Sequence, residues 1–279
     1  MIKIVLAGTP NFAVPIFEEI IKNFNVVAII SQPDRPSGRG HKFIPTPTKQ
    51  LAEKYNIPCY QPEKIGEIYD DLVKLNYDFL ITAAFGQFIP SRVLSLAKKL
   101  NLNIHGSLLP KYRGASPIQY SLLNGDKETG ISLMEMIKEM DAGDIFKTLK
   151  ISIDSSDTSD SLMAKLSQAT AKNITNWINE IVQGDFKRIV QDSTKVSFSP
   201  KLEKEKGFIN SSLNVNEALN IIRAYSSNPC AYSYIDNKRV KIFFATKEFT
   251  KNAPIINLKD GVIYLTDYMF DSKKRVVLK

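Results

Sequence analysis

The stretch IKIVLAGTPNFAVPIFEEIIKNFNVVAII, residues 2–30, decides the fold class. Residues 2–7 form an apolar run too short for a membrane span or a signal peptide, closed at once by Thr9-Pro10. Thr9 can cap a helix, with Pro10 in its first turn. Over residues 11–23 that helix puts Phe12, Ile16, Ile20 and Phe24 four apart, one apolar stripe. Residues 26–30 are a second buried strand. Further along, residues 79–83 and 100–104 are apolar strands, and helical segments near 46–55 and 66–75 fall between strands. Apolar strands alternating with helices imply an α/β domain with a parallel sheet covered on both faces. Such sheets take ligands at the carboxyl ends of their strands.

A long helix over residues 159–183 follows, opened by Ser and Asp and ending at Gly184. It carries Leu162, Leu166, Ala169, Ile174, Trp177 and Ile181, and Trp177 on that stripe reads as packing. Residues 189–206 are irregular and polar and read as a linker. Beyond them come a helix near 214–226 and strand-like runs at 231–235, 238–245 and 261–267, a small β-rich domain. The expected division is a catalytic domain over 1–188, a linker over 189–206 and a second domain over 207–279.

The 279 residues fit one large and one smaller domain, and 43% hydrophobic with 24% charged residues are ordinary globular values. Cys59 and Cys230 are the only cysteines, too few for a disulfide scaffold. No zinc spacing is present, Gly8-Thr9-Pro10 is not a dinucleotide fingerprint, and residues 125–130 lack the phosphate-loop ending. A soluble cytoplasmic protein without a metal is expected. Of the net charge of +8, residues 184–279 hold +7, with 17 Lys+Arg against 10 Asp+Glu, which leaves +1 for residues 1–183. That split fits a catalytic body with an appendage for a polyanion, or equally a Lys-rich surface without nucleic-acid work.

Asn103-Ile104-His105-Gly106 ends a buried strand, and alternation turns Asn103 and His105 to one side. An amide and an imidazole together can donate to a developing oxyanion, and histidine can carry a proton near neutral pH. The alternative is a structural histidine beside a turn. The next residues, Ser107-Leu108-Leu109-Pro110-Lys111-Tyr112-Arg113-Gly114, are more constrained than a plain turn requires. Glu139-Met140-Asp141-Ala142-Gly143-Asp144 then sets carboxylates around a glycine. One of them could hold and charge the imidazole, or the segment is only an acidic turn. Residues 32–49 carry Arg35, Arg39, Lys42 and Lys49 against Asp34, with Pro and Gly disfavouring helix and strand. This is a mobile basic loop able to reach phosphates, or a solvated loop; His41 in it is a phosphate contact or nothing.

Asn103 to Pro110 with Tyr112-Arg113-Gly114, and Asp141-Ala142-Gly143-Asp144, resemble the two site segments of the 10-formyltetrahydrofolate-dependent formyltransferases. Ala7-Gly8-Thr9-Pro10-Asn11-Phe12-Ala13, Gln32-Pro33-Asp34-Arg35-Pro36-Ser37-Gly38-Arg39-Gly40, Pro45-Thr46-Pro47-Thr48-Lys49, Ser199-Pro200-Lys201-Leu202 and Ile222-Arg223-Ala224-Tyr225 are similar to the branch acting on methionyl-tRNA. The resemblance implies a Rossmann-like parallel-sheet domain and a smaller OB-like barrel. It implies Asn103, His105 and Asp141 as catalytic trio, with Ser107, Leu108, Leu109, Pro110, Phe85, Gly86 and Gln87 at the folate. Arg35, Arg39 and Lys42 would meet initiator methionyl-tRNA, and a monomer is expected. The family's Trp-Pro-Gly run is replaced here by the shorter Asn228-Pro229-Cys230-Ala231-Tyr232, and relatives generally continue beyond residue 279, so a trimmed barrel is expected. Two rivals stand beside this reading: a folate transferase for an amino-sugar nucleotide or purine precursor, and a non-catalytic tRNA-binding protein on the same fold.

Overall fold

The computed structural model describes residues 2–37 and 42–278. They form two compact units, each assembled from separate stretches of chain. The first comprises Met1–Arg113, Gly130–Lys150 and Ala164–Ser197; the second comprises Gly114–Thr129, Ile151–Met163 and Phe198–Lys279.

In the first unit β1 (Lys3–Gly8), α1 (Ala13–Asn23) and β2 (Asn25–Ile30) open a parallel sheet, with α1 as the connection. A small hairpin follows, β3 (Arg35–Ser37) with β4 (Lys42–Ile44), and then α2 (Pro47–Lys54) and β5 (Cys59–Tyr60). A 3-10 turn at Ile65–Ile68 leads into α3 (Tyr69–Leu75), β6 (Phe79–Ala83), α4 (Ser91–Leu94) and β7 (Leu100–His105). The chain continues through α5 (Pro117–Leu123), which belongs to the second unit, and then β8 (Glu128–Glu135), β9 (Ile145–Ser152) and α6 (Ser159–Gln183). Among the described residues, seven strands join one sheet in the order β5-β2-β1-β6-β7-β8-β9. The pairings from β5 to β7 are parallel, as expected, whereas β7 and β8 run antiparallel, so the sheet is a mixed one with a parallel core. The chain departs from β1 first to β2 and later to β6, on the other side. That reversal makes a crevice at the carboxyl ends of β1 and β6, and β7 ends beside it.

The apolar strands bury fully, as continuous hydrophobic runs in a covered sheet should: Ile4, Val5, Leu6, Leu80, Ile81 and Leu102 are inaccessible. Gly8 ends β1 where a Cβ would lie 2.6 Å from the Ala83 carbonyl oxygen, so only glycine admits this approach. On α1, Ile16 and Ile20 bury on the expected stripe. Its amino end differs from expectation. Phe12 stands at the cap with no side-chain cap bond, and the Thr9 hydroxyl instead donates to Phe85 O at 3.2 Å, the carbonyl just beyond β6. The segment 32–49 was expected without helix or strand. Its first part forms the β3–β4 hairpin, whereas α2 begins where the helix near 46–55 was expected, and Thr46 caps it by accepting from Lys49 N. Pro36 is tolerated because a two-stranded ribbon leaves its edges unpaired.

The second unit packs α7 (Val215–Tyr225) against an antiparallel sheet of β10 (Ala231–Ile235), β11 (Lys238–Thr246), β12 (Ile255–Leu258), β13 (Gly261–Phe270) and β14 (Val276–Val277). Asn214 and Glu217 form a reciprocal cap at the start of α7. The strand path is β10-β11-β13-β12 with β14 on β13, and the sheet curls as a half-barrel. Ile222, Ala224, Ala231, Val240, Ile242, Ile263 and Leu265 form its buried interior. Among the described residues no helix is long and apolar enough to cross a membrane.

Candidate active site

β7 delivers Asn103 and His105, and β6 delivers Thr82 directly across from Asn103 in parallel register. The Thr82 hydroxyl donates to Asn103 Oδ1 at 2.7 Å, which fixes the orientation of the amide and turns Nδ2 the other way. Asn103 Nδ2 then donates to Asp141 Oδ1 at 3.4 Å. His105 lies nine-tenths buried between two acceptors. Its Nε2 is 2.8 Å from Tyr112 O, and its Nδ1 is 3.6 Å from Asp141 Oδ2. One carboxylate thus faces both strand residues, one oxygen each.

Two loops hold these acceptors in place. In the first, Tyr112 adopts φ 62°, a left-handed turn that aims its carbonyl back at His105. Its N–H donates to Ser197 Oγ at 3.0 Å, and the Arg113 N–H donates to Ser197 O at 2.8 Å. In the second loop Asp141 is also left-handed, with φ 53°. Gly143 then passes so close to β8 that a Cβ would stand 2.1 Å from the Glu135 carbonyl oxygen. The two carboxylates of this loop part company: Asp141 turns to Asn103 and His105, whereas Asp144 turns to Arg188, 3.8 Å away. Arg188 also pairs with Glu135 and stacks on the Phe146 ring.

The residues expected at the folate lie along the same strand ends, with their side chains differently engaged. Ser107 Oγ donates to Lys111 O at 2.6 Å, and Leu109 packs with Met134 and Ile145. The Ser132 hydroxyl ties the loop from below, donating to Ser107 O and accepting from Leu109 N. Leu108 and Pro110 remain half-buried. Phe85 is in the core, its carbonyl accepting from Thr9 and Gln32, and exposed Gly86 follows with φ 78°. The Gln87 amide is committed to the 62–65 turn, accepting from Ile65 N and donating to Pro62 O.

The hairpin carries Arg35, ion-paired with Glu63 at 2.6 Å and well exposed, and Phe43, 70% exposed. Lys49 is not available to a ligand in the same way, being paired with Asp34 at 2.5 Å. The Lys49 ammonium, then Gln61, hold the Asp34 carboxyl below its ordinary value. Arg39 and His41, and the side chain of Lys42, lie outside the described residues. In the second unit, Phe208, Tyr232 and Tyr234 form an aromatic cluster on the outer side of β10, and the Arg239 guanidinium sits 4.5 Å above the Tyr232 ring. Burial pushes the thiols up, Cys59 to about 11, as expected of inert cysteines. No group of three or more His, Cys, Asp or Glu among the described residues is placed to hold a metal ion.

Sequence reasoning did not find Thr82, Ser132, Gln191 or Ser197. A threonine inside the apolar run Phe79–Ala83 was the one available signal. The polar segment from residue 189 resembled a tether, yet its first part belongs to the first unit: Ile189 bridges Ile145, and Ser197 anchors Tyr112 and Arg113.

The pattern of the formyl transferase family matches residues 2–178, and that of the formyl transferase C-terminal domain matches residues 201–264. The chain belongs to the formyl transferase family. It is 53% identical over 277 residues, 99% of this chain and 96% of the relative, to a protein of Mycoplasmopsis pulmonis named methionyl-tRNA formyltransferase. Two solved structures share the fold. HypX from Aquifex aeolicus, solved with tetrahydrofolic acid, superposes with a TM-score of 0.71 at 18% identity over 99% of this chain; this chain spans only 45% of HypX. An N-formyltransferase from Helicobacter canadensis, solved with folinic acid and dTDP-3-aminofucose, superposes at 0.70 with 23% identity over the full length of both chains.

Proposed function

We propose that this formyl transferase moves the formyl group of 10-formyltetrahydrofolate to the α-amine of methionine on initiator tRNA. The single observation carrying the acceptor is the 53% identity, over nearly all of both chains, with a relative named for that reaction. The shared Asp141 carboxylate between Asn103 and His105 supplies the chemistry. The amine nitrogen bonds to the formyl carbon, giving a tetrahedral intermediate. The Asn103 amide and the His105 ring set hydrogen-bond donors beside its oxyanion. Asp141 orients His105, and a proton passes from the attacking amine to the folate nitrogen as the bond from that nitrogen to the formyl carbon breaks. The products are formylmethionyl-tRNA and tetrahydrofolate.

In this reading residues 1–188 hold the chemistry and residues 207–279 grip the tRNA. The folate lies along Ser107, Leu108, Leu109 and Pro110, with Phe85, Gly86 and Gln87. Arg35, Arg39 and Lys42 meet acceptor-stem phosphates, and exposed Phe43 offers a face for an unpaired base. The aromatic and guanidinium cluster of the half-barrel and the +7 charge of residues 184–279 fit an RNA partner. The protein works as a cytoplasmic monomer. The test is incubation with 10-formyltetrahydrofolate and either charged methionyl-tRNA or an amino-sugar nucleotide. Formylation of the tRNA is expected; formylation of the sugar alone would overturn the reading.

A further inference from the structure

We infer that Gln191 is a positioning residue: its side-chain amide locks the backbone of the Asp141 loop and so aims the carboxylate that Asn103 and His105 share. The inference rests on the catalytic reading of that trio. Gln191 Nε2 donates to Asp141 O and to Gly143 O, both at 2.8 Å. Its Oε1 accepts from Arg113 Nε at 3.0 Å and from Arg113 Nη2 at 2.9 Å. The amide can sit only one way round, because reversal would set its NH2 against the guanidinium and its oxygen against two carbonyls.

The two ends of this side chain reach the two segments that face the His105 ring. Arg113 follows Tyr112, whose carbonyl lies at Nε2, and Asp141 lies at Nδ1. Arg113 is itself only 7% exposed, so its guanidinium is a fixed anchor. Asp141 holds a left-handed conformation, which aspartate tolerates better than most residues and which turns the chain here. Gly143 against Glu135 O closes one side of the loop, and Gln191 fastens the carbonyls on either side of Ala142. Gln191 is in turn seated by the paired backbone bonds between Ile189 and Ile145, at 2.9 and 3.0 Å. A carboxamide suits this place better than a carboxylate. Glutamate would satisfy Arg113 but turn an oxygen onto two carbonyl oxygens.

The test is a double-mutant cycle in the full-length enzyme, read in single-turnover formyl transfer and steady-state kinetics. Gln191→Met keeps the volume and removes all four bonds; Gln191→Glu keeps the two from Arg113. Each is expected to lower kcat by about 10²-fold, the usual cost of a misplaced catalytic group. KM for either substrate should move less than about threefold, since neither change removes a binding contact. In an Asp141→Ala background, Gln191→Met should add less than about threefold, because a residue acting through Asp141 has nothing left to position. Two results overturn the inference: near-normal kcat in both single variants, or losses that multiply with Asp141→Ala. If Asp141→Ala alone turns over normally, it is the catalytic trio that fails instead. Should Gln191→Met not fold, Gln191→Glu is carried through the same cycle and decides.

Discussion

The Tyr112 and Asp141 loops and the β3–β4 hairpin belong to one unit and are built on opposite principles. Around His105 the ring nitrogens, the Asn103 amide, the Gln191 amide and the Asp141 carboxylate all meet partners, and His105, Tyr112 and Arg113 are buried. On the hairpin Phe43 is exposed and Arg35 has a solvent-facing ion pair. Chemistry requires atoms held to fractions of an ångström, which cross-ties from distant segments provide. A surface that meets a large partner works with fewer ties, because the partner completes it. Substitutions in the first region should therefore appear in kcat, and those in the second in KM for tRNA.

Outside the catalytic trio, no substitution should cost more than Gly143→Ala. A methyl group 2.1 Å from Glu135 O must displace the loop, and kcat should drop about 10²-fold with KM nearly unchanged. Turnover close to normal would mean that the Asp141 loop need not be fixed. Thr82→Val removes the donor that orients Asn103, and a kcat loss of about tenfold is expected, the equivalent of one modest hydrogen bond. A change in KM alone would place Asn103 with binding instead of chemistry. Arg35→Ala should raise KM for tRNA severalfold, reduce the salt dependence of tRNA affinity by about one counterion, and leave unfolding midpoints nearly unchanged. An unaltered salt slope would remove Arg35 from the RNA contact.

The smallest expected effect concerns Asp34 at the base of the hairpin. Its folded carboxyl lies below the unfolded value of about 3.9. The stabilisation is therefore present above that value and lost as pH falls through the folded one. Asp34→Asn should flatten the decline of stability below about pH 4 in urea titrations, relative to wild type, without shifting kcat at neutral pH.

How much of this was legible in sequence follows from how far apart the interacting residues stand. The parallel core and α6 were readable because period and apolar runs are local signals, and Leu162, Leu166 and Ile174 bury as the stripe implies. Asn103 and His105 were readable as a pair because strand alternation is local too. Asp141 could be chosen over Asp144 only through resemblance, since the spacing around Gly143 fits either. Gln191 was invisible: its partners are 78 and 50 residues away, and a polar segment after a helix looks the same whether it braces a site or tethers a domain. The β3–β4 hairpin was missed because Pro36 argued against a strand and an isolated ribbon has no core-facing alternation.

The most direct measurement is single-turnover formyl transfer from 10-formyltetrahydrofolate to methionyl initiator tRNA by wild type and His105→Ala, with tRNA binding measured on the same samples. Wild type should give formylmethionyl-tRNA. His105→Ala should bind tRNA with a nearly unchanged Kd and transfer about 10²- to 10⁴-fold more slowly, the range of general acid–base contributions. Equal transfer rates in the two proteins, or tRNA binding by wild type with no transfer at all, would contradict a reaction centred on Asn103, His105 and Asp141.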